Sequence, residues 1–254
     1  MKKMLLVGNG RMGSSLGIQF KNTFDMSIVD PLNAPEYKAK HYLYIDEVQD
    51  RYDYITFAVK PFMLPEVISK MNKFTYDKNT EILSVIAGVK RDYYQYKLGE
   101  DTNITILMTN LAAKVGKGIV VVNSKNRHDF LNDCGQVIYT NTEDEIDKFC
   151  AFIGSGPGFC YSIMEMMNKA SGKLGFKSQV DNENVIIELF ENSIEHLKAE
   201  SKSFKTEKFA KCLDSEVTAT ALAELEQSQK AFDKTLLKAY ERAKELGELV
   251  RKSI

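Results

Sequence analysis

The chain has 254 residues, of which 44% are hydrophobic and 27% charged, a balance that excludes wholesale disorder and suits one large or two small globular domains. A formal net charge of −1 gives no electrostatic reason to expect nucleic acid or an anionic membrane as partner. No segment approaches the ~20 apolar residues of a membrane helix, and the opening MLLV is too short for a secretory h-region, so a cytoplasmic protein is expected.

The first predicted strand is MLLV at 4–7. It runs directly into Gly8-Asn9-Gly10-Arg11-Met12-Gly13, which opens the helix-like segment RMGSSLGIQF. A Gly-x-Gly-x-x-Gly triplet alone is weak, but strand before and helix after are the context a dinucleotide loop requires. Gly8 then permits the sharp turn, Gly10 lets a diphosphate approach the backbone, and Gly13 lets helix and strand pack closely. The anion would sit on unpaired N–H groups at the positive end of the helix.

The second strand, MSIVD at 26–30, ends at Asp30, 22 residues after Gly8. An acid there can accept hydrogen bonds from a ribose diol and repels a 2′-phosphate, which favours NADH over NADPH. The alternative is that Asp30 merely opens the DPLN turn. Further apolar runs follow: YITFAV (54–59), EILSVI (81–86), ITILM (104–108) and GIVVVN (118–123), with QVIYTN (136–141) as an edge strand. Their lack of in/out alternation predicts strands covered on both faces, hence a mostly parallel α/β sheet.

After Gly154 the strand signal ends. Ile186, Phe190, Ile194 and Leu197 fall on one helical stripe, and Phe232, Leu236, Tyr240, Ala243 and Leu246 on another. The Met-rich stretch 161–175 reads as a helix with core methionines. The prediction is a Rossmann dinucleotide-binding domain over residues 1–152 and an all-helical domain over 153–254, meeting at FIGSGPGF. Cys134, Cys150, Cys160 and Cys212 form no C-x-x-C pair, and the three histidines sit at no metal-ligand spacing. Reduced, mostly buried thiols and no metal site are expected.

Four segments in order resemble the pyrroline-5-carboxylate reductases: VGNGRMG (7–13), FAVKP (57–61), SVIAGV with MTNLAAKVGKG (84–89 and 108–118), and GSGPGF (154–159). The resemblance implies a Rossmann domain followed by a helical dimerisation domain. It also implies hydride transfer from NADPH or NADH to the C=N carbon of a cyclic imino acid, giving proline. The protein would then be a homodimer or higher homo-oligomer through its C-terminal helices. Carried over by position, Gly8, Asn9, Gly10, Arg11, Met12 and Gly13 form the phosphate loop. Val59, Lys60 and Pro61 line the cofactor, and Asn110 sits near the nicotinamide ribose. Lys60 could equally be a solvated strand-end charge, Asn110 a turn residue, and Ser155 and Gly156 packing at the junction.

The substrate loop departs from the family. Its usual Ser-Pro-Gly-Gly-Thr-Thr becomes LDSEVTATALAEL (213–225), in which Ser215-Glu216 replace the glycine pair and Val217 the first threonine. Thr218 is retained as the candidate catalytic donor to the imine nitrogen, with the N–H groups of Val217 and Thr218 for the carboxylate. Asp214 and Glu216 add negative charge there, and Ser215 or Asp214 could be an ordinary N-cap. Two other readings stand beside this one. A nucleotide-binding sensor or scaffold would keep the loop and lose catalysis. A β-hydroxyacid dehydrogenase would need a lysine where Cys160 stands, and the nearest one downstream, Lys169, is over two turns away.

Overall fold

Strand β1 (Lys3–Val7) buries all of Met4 to Val7, because apolar layers cover both faces of the sheet. Leu5 and Val7 join Ile55, Phe57 and Ile82 in one core layer, while Met4 and Leu6 join Ile28, Leu83 and Leu107 in the other. Consecutive residues of a strand point to opposite faces, so a strand sandwiched on both sides shows a continuous apolar run. That is why the runs carry no alternation.

The computed structural model describes residues 1–73, 75–175, 182–200, 203 and 228–252. In chain order β1 is followed by α1 (Arg11–Phe20), β2 (Asp25–Val29), β3 (Lys40–Tyr42), β4 (Tyr54–Phe57), α2 (Leu64–Lys70), β5 (Glu81–Ser84), α3 (Arg91–Leu98), β6 (Asn103–Met108), β7 (Gly118–Asn123), β8 (Gly135–Tyr139) and α4 (Glu143–Phe149). Helices α5 (Gly156–Lys173), α6 (Asn182–Ala199) and α7 (Gln229–Arg251) complete the described elements. The sheet order is β3-β2-β1-β4-β5-β6-β7-β8, parallel throughout except where β7 runs against β6. The first six strands follow the order of a doubly wound nucleotide-binding sheet, with its switch point between β1 and β4. Helix α1 packs Leu16 and Phe20 on one face, and α2 and α3 pack Leu64, Ile68, Tyr93 and Tyr94 on the other.

The expected strands recur with ends displaced by a few residues, and 136–141 is the edge strand β8. Strand β3 is an addition: its KHY carries no apolar run, and only Tyr42 is buried.

The chain forms two compact units, one of Met1–Pro157 with Leu237–Ile254 and one of Gly158–Leu236. The expected division at 152/153 falls five residues before this change, and the C-terminal end joins the first unit instead of the helical one. Its side chains explain why. Ala243 and Val250 of α7 are buried, and Gly247, between them on the same face, lies against the loop after β5. Gly88 in that loop has φ +75°, and a Cβ on Gly247 would stand 1.9 Å from the Gly88 carbonyl oxygen. Helix α4 is held to the same loop. Asp147, 3% exposed, pairs with Lys90 at 2.5 Å, and the Arg91 N–H donates to Glu143 Oε2 at 2.9 Å.

In the second unit Phe159 meets Phe232 edge-on at 5.9 Å between ring centres. Helix α5 corrects the core-methionine reading. It is a helix, but none of its residues is buried in the single chain, and Met166 is 61% exposed.

Replacing Gly247 by alanine forces a methyl group onto a peptide carbonyl that cannot rotate away. A loss of about 1–3 kcal/mol is expected, the usual result of overpacking, read as a lower midpoint in urea unfolding. An unchanged midpoint would mean that α7 does not dock at Gly88.

Candidate active site

The glycine loop lies at the carboxyl ends of β1 and β4, where a parallel sheet opens its crevice. Gly8 has φ +97°, a conformation that L side chains rarely adopt, and a Cβ there would lie 2.8 Å from the Ala58 carbonyl oxygen. A Cβ on Gly13 would stand 1.9 Å from the Gly8 carbonyl oxygen, so α1 rests on the strand that precedes it. Gly10 differs from both. It is the N-cap of α1 in an extended conformation, and a Cβ on it would meet nothing within 4 Å. No side chain caps α1, and its first turn holds no acidic residue. The first-turn N–H groups therefore face an open space with no capping side chain, which is what an anion at a helix N-terminus uses. Arg11 is exposed beside that space, and Met12 packs half-buried on the apolar layer behind it.

Asp30 is 8% exposed and densely bonded. Its Oδ2 accepts the Asn9 N–H at 2.7 Å. Its Oδ1 accepts the N–H groups of Leu32 at 2.9 Å and Asn33 at 2.8 Å, and the Asn33 side chain at 3.0 Å. Strand β3 fixes its main chain, as the Asp30 N–H donates to Tyr42 O at 3.1 Å and His41 Nε2 to Asp30 O at 2.8 Å. Burial pushes the carboxyl's pKa up, but the bonds from Asn9, Leu32 and Asn33 outweigh it and hold the group below its ordinary value. The turn-opening reading of Asp30 thus describes its contacts, and the same carboxylate ties the turn to the glycine loop.

Val59, Lys60, Pro61 and Asn110 follow β4 and β6 at the same edge. Val59 is half-buried, with a methyl 3.0 Å from where a Gly8 Cβ would stand. Lys60, exposed, precedes the short turn Pro61–Met63. Asn110 follows β6 and is 8% exposed; its side-chain oxygen accepts the Ala112 N–H at 3.1 Å, so it caps the turn Leu111–Val115. Val217 and Thr218 lie outside the described residues. Sequence reasoning missed Ser14, Asn33 and Tyr37, which with Asn9, Gly10 and Arg11 line a cavity of about 270 Å³ beside the loop. It also missed Thr109, 1% exposed, whose hydroxyl has no partner among the described residues.

A family model described as pyrroline-5-carboxylate reductase dimerisation matches residues 143–246. The pyrroline-5-carboxylate reductase of Staphylococcus saprophyticus is 30% identical over 209 residues, covering 73% of this chain and 76% of the relative. The chain belongs to the pyrroline-5-carboxylate reductase family. Its fold is that of two solved structures. The pyrroline carboxylate reductase of Plasmodium falciparum, with NADP bound, has TM-score 0.83 at 23% identity, covering 97% of this chain and 98% of that one. The 1-pyrroline-5-carboxylate reductase of Streptococcus pyogenes has TM-score 0.81 at 20% identity over 96% and 98%. The dehydrogenase reading finds no support in this family, and Lys169 is exposed and paired with Glu165 at 2.5 Å.

Asp30 has a depressed pKa in the folded state, so its stabilisation is complete above about pH 4 and is lost as pH falls through the lowered value. Unfolding free energy from urea titrations should drop more steeply below about pH 4 in the parent protein than in Asp30→Asn. Parallel pH curves would show that the carboxylate contributes nothing to the loop.

Proposed function

We propose that this chain reduces the C=N bond of 1-pyrroline-5-carboxylate with a reduced nicotinamide dinucleotide, giving L-proline. The observation that carries this reading is the uncapped start of α1 behind the glycine loop, in a chain of this family. The nicotinamide, when bound, supplies the hydride that the imine carbon receives. The residues fit such a cofactor: the cradle at Gly10 is open, and a buried acceptor at Asn9 lacks a partner among the described residues.

In this proposal Gly8, Asn9, Gly10, Arg11, Met12 and Gly13 hold the diphosphate, chiefly through N–H groups at the head of α1. Val59, Lys60 and Pro61 border the dinucleotide after β4, and Asn110 presents its amide NH2 after β6 while its oxygen caps the turn. The Thr218 hydroxyl donates to the imine nitrogen, and the N–H groups of Val217 and Thr218 take the substrate carboxylate. No metal or nucleophile is needed, because positioning and a single donor suffice for reduction of an imine. The ionised Asp30 beneath the adenosine end favours NADH over NADPH. Residues 1–152 form the cofactor domain in this reading, and 153–254 carry the substrate loop and the contacts between copies. Val185, Ile187, Leu189 and Ile194 of α6, each at least 46% exposed, support self-association through the helices.

The first test is oxidation of NADH and of NADPH by the purified protein with and without pyrroline-5-carboxylate. Substrate-dependent oxidation, faster with NADH, is expected. Cofactor binding without turnover would move the protein to the sensor reading.

Gly10→Asp offers a second test. Aspartate is a good N-cap, and the site has room for it, so stability should stay within a few tenths of a kcal/mol of the parent. Its carboxylate would occupy the anion position and abolish dinucleotide binding, read by cofactor fluorescence. A folded Gly10→Asp protein with unchanged affinity would refute the loop assignment.

A further inference from the structure

A doubly wound sheet binds a dinucleotide as two mononucleotide halves, one on each side of its switch point. The glycine loop and Asp30 follow β1 and β2, on the adenosine side. The nicotinamide half then falls to the loops after β4, β5 and β6, which are neighbours in the sheet. Val59, Lys60 and Pro61 follow β4, and Asn110 follows β6; between them stands the loop 85–89 after β5.

The sheet carries this middle loop as far as Val85, whose N–H donates to the Phe57 carbonyl oxygen at 3.1 Å. Past it, a long turn bond joins the Val89 N–H to the Ile86 carbonyl oxygen at 3.4 Å. Further support comes from the C-terminal end of α7. Gly88 has φ +75°, and a Cβ on it would stand 2.2 Å from the Ala243 carbonyl oxygen and 2.6 Å from the Gly247 nitrogen. In the other direction, a Cβ on Gly247 would stand 1.9 Å from the Gly88 carbonyl oxygen. Main chain lies on main chain there, and neither side can yield by changing a rotamer. Val250, 3% exposed, shares a core layer with Val89 and Tyr93. Two polar contacts hold α7 in this seat: Arg251 pairs with Asp92, and the Tyr240 hydroxyl donates to Asp144 Oδ1 at 2.9 Å.

The helix that follows the loop is spoken for. Lys90 is the N-cap of α3, and its own side chain caps nothing. Instead the Arg91 N–H donates to Glu143 Oε2 at 2.9 Å, and Lys90 Nζ to Asp147 Oδ2 at 2.5 Å. Unlike α1, α3 begins against carboxylates of the fold, which repel an anion. What the loop after β5 offers a dinucleotide is a main-chain surface, and the seat of α7 decides where that surface stands.

We propose that the C-terminal end of α7 is a positioning element of the reaction: by seating Gly247 and Val250 against Gly88 and Val89, it fixes the loop on which the nicotinamide lies for hydride transfer. The inference rests on the reductase reading and deepens it. Gly247 and Val250 are then positioning residues that act through the loop. A nicotinamide displaced by about 1 Å still binds, because the glycine loop holds the other half of the cofactor, but it delivers its hydride poorly.

The test separates kcat from cofactor affinity in Gly247→Ala and Val250→Ala, each measured well below its unfolding midpoint. Gly247→Ala wedges the seat apart, and its kcat with pyrroline-5-carboxylate should fall about tenfold or more. Its NADH affinity, read by cofactor fluorescence without substrate, should stay within about threefold of the parent. Val250→Ala removes bulk where the first variant adds it, and should show the same split with a smaller loss. It decides alone if Gly247→Ala does not fold. Ile104→Ala loosens the same core layer at the other end of the sheet and should leave kcat unchanged. Unchanged kcat in the folded α7 variants would overturn the proposal. So would an equal loss in Ile104→Ala, or a loss of NADH affinity as large as the loss of kcat. If the unaltered protein oxidises no cofactor with pyrroline-5-carboxylate, the reductase reading fails too, whereas an active enzyme indifferent to its α7 seat removes this inference alone.

Discussion

The contact between Asp30 Oδ2 and the Asn9 N–H joins the two loops on which the cofactor end of the molecule depends. One loop leaves β1 and the other leaves β2, and the last main-chain rung between them is the Gly8 N–H to the Val29 carbonyl oxygen at 2.8 Å. An ionised carboxylate links those loops, beside the bond that the Asn9 amide donates to the Asn33 carbonyl oxygen at 3.0 Å. It bonds forward to the turn at Leu32 and Asn33 and back to Asn9, and charge-assisted bonds of this kind are stronger than neutral ones. Strand β3 matters here out of proportion to its length, since Tyr42 and His41 fix the main chain of Asp30 from the far side. Without β3, Asp30 would end the sheet at a free edge.

The start of α1 shows a complementary constraint. Helices commonly place Ser, Thr, Asp or Asn at the N-cap, and α4 does so with Thr142 and a capping box to Glu145. Helix α1 has Gly10 in that position and no acid in its first turn. Its stability comes from elsewhere: Leu16 and Phe20 packed into the core, and Gly13 set against the Gly8 carbonyl. A helix so firmly seated can leave its head bare, and a bare head is available to an anion.

Much of this was legible in the sequence because burial on both faces leaves continuous apolar runs, and because Gly8 and Gly13 are each demanded by backbone geometry. Strand β3 was not legible, since KHY has neither length nor apolar character and is held by its neighbours. Asp30 was half legible. Its spacing from the glycines suggested a ribose acceptor, and the following Pro-Leu-Asn suggested a turn; the structure shows the turn on Oδ1 and the glycine loop on Oδ2. The packing partner of the C-terminal end stayed hidden for a related reason. Ala243, Gly247 and Val250 make an amphipathic stripe that says the helix packs, but not on what. The methionines of α5 illustrate the same limit, since periodicity identifies a helix and cannot tell a core face from an exposed one.

The departures from the family sequence gather away from the glycine loop, and Asn110 shows how such a departure can be absorbed. Thr109 and Ala112 flank this chain's Asn110-Leu111 pair. A proline at 109 would stiffen the entry to the turn through its fixed φ. Here the Asn110 side chain accepts the Ala112 N–H instead, and the Ala113 N–H donates to the Asn110 carbonyl oxygen at 3.0 Å. Lys117 and Gly116 close the same turn with bonds to Ala112 and Ala113. An N–H that a proline at 112 would lack is thus the one that holds the asparagine side chain. The turn keeps its shape by hydrogen bonding, which leaves the amide NH2 of Asn110 as the part of that side chain not spent on the fold.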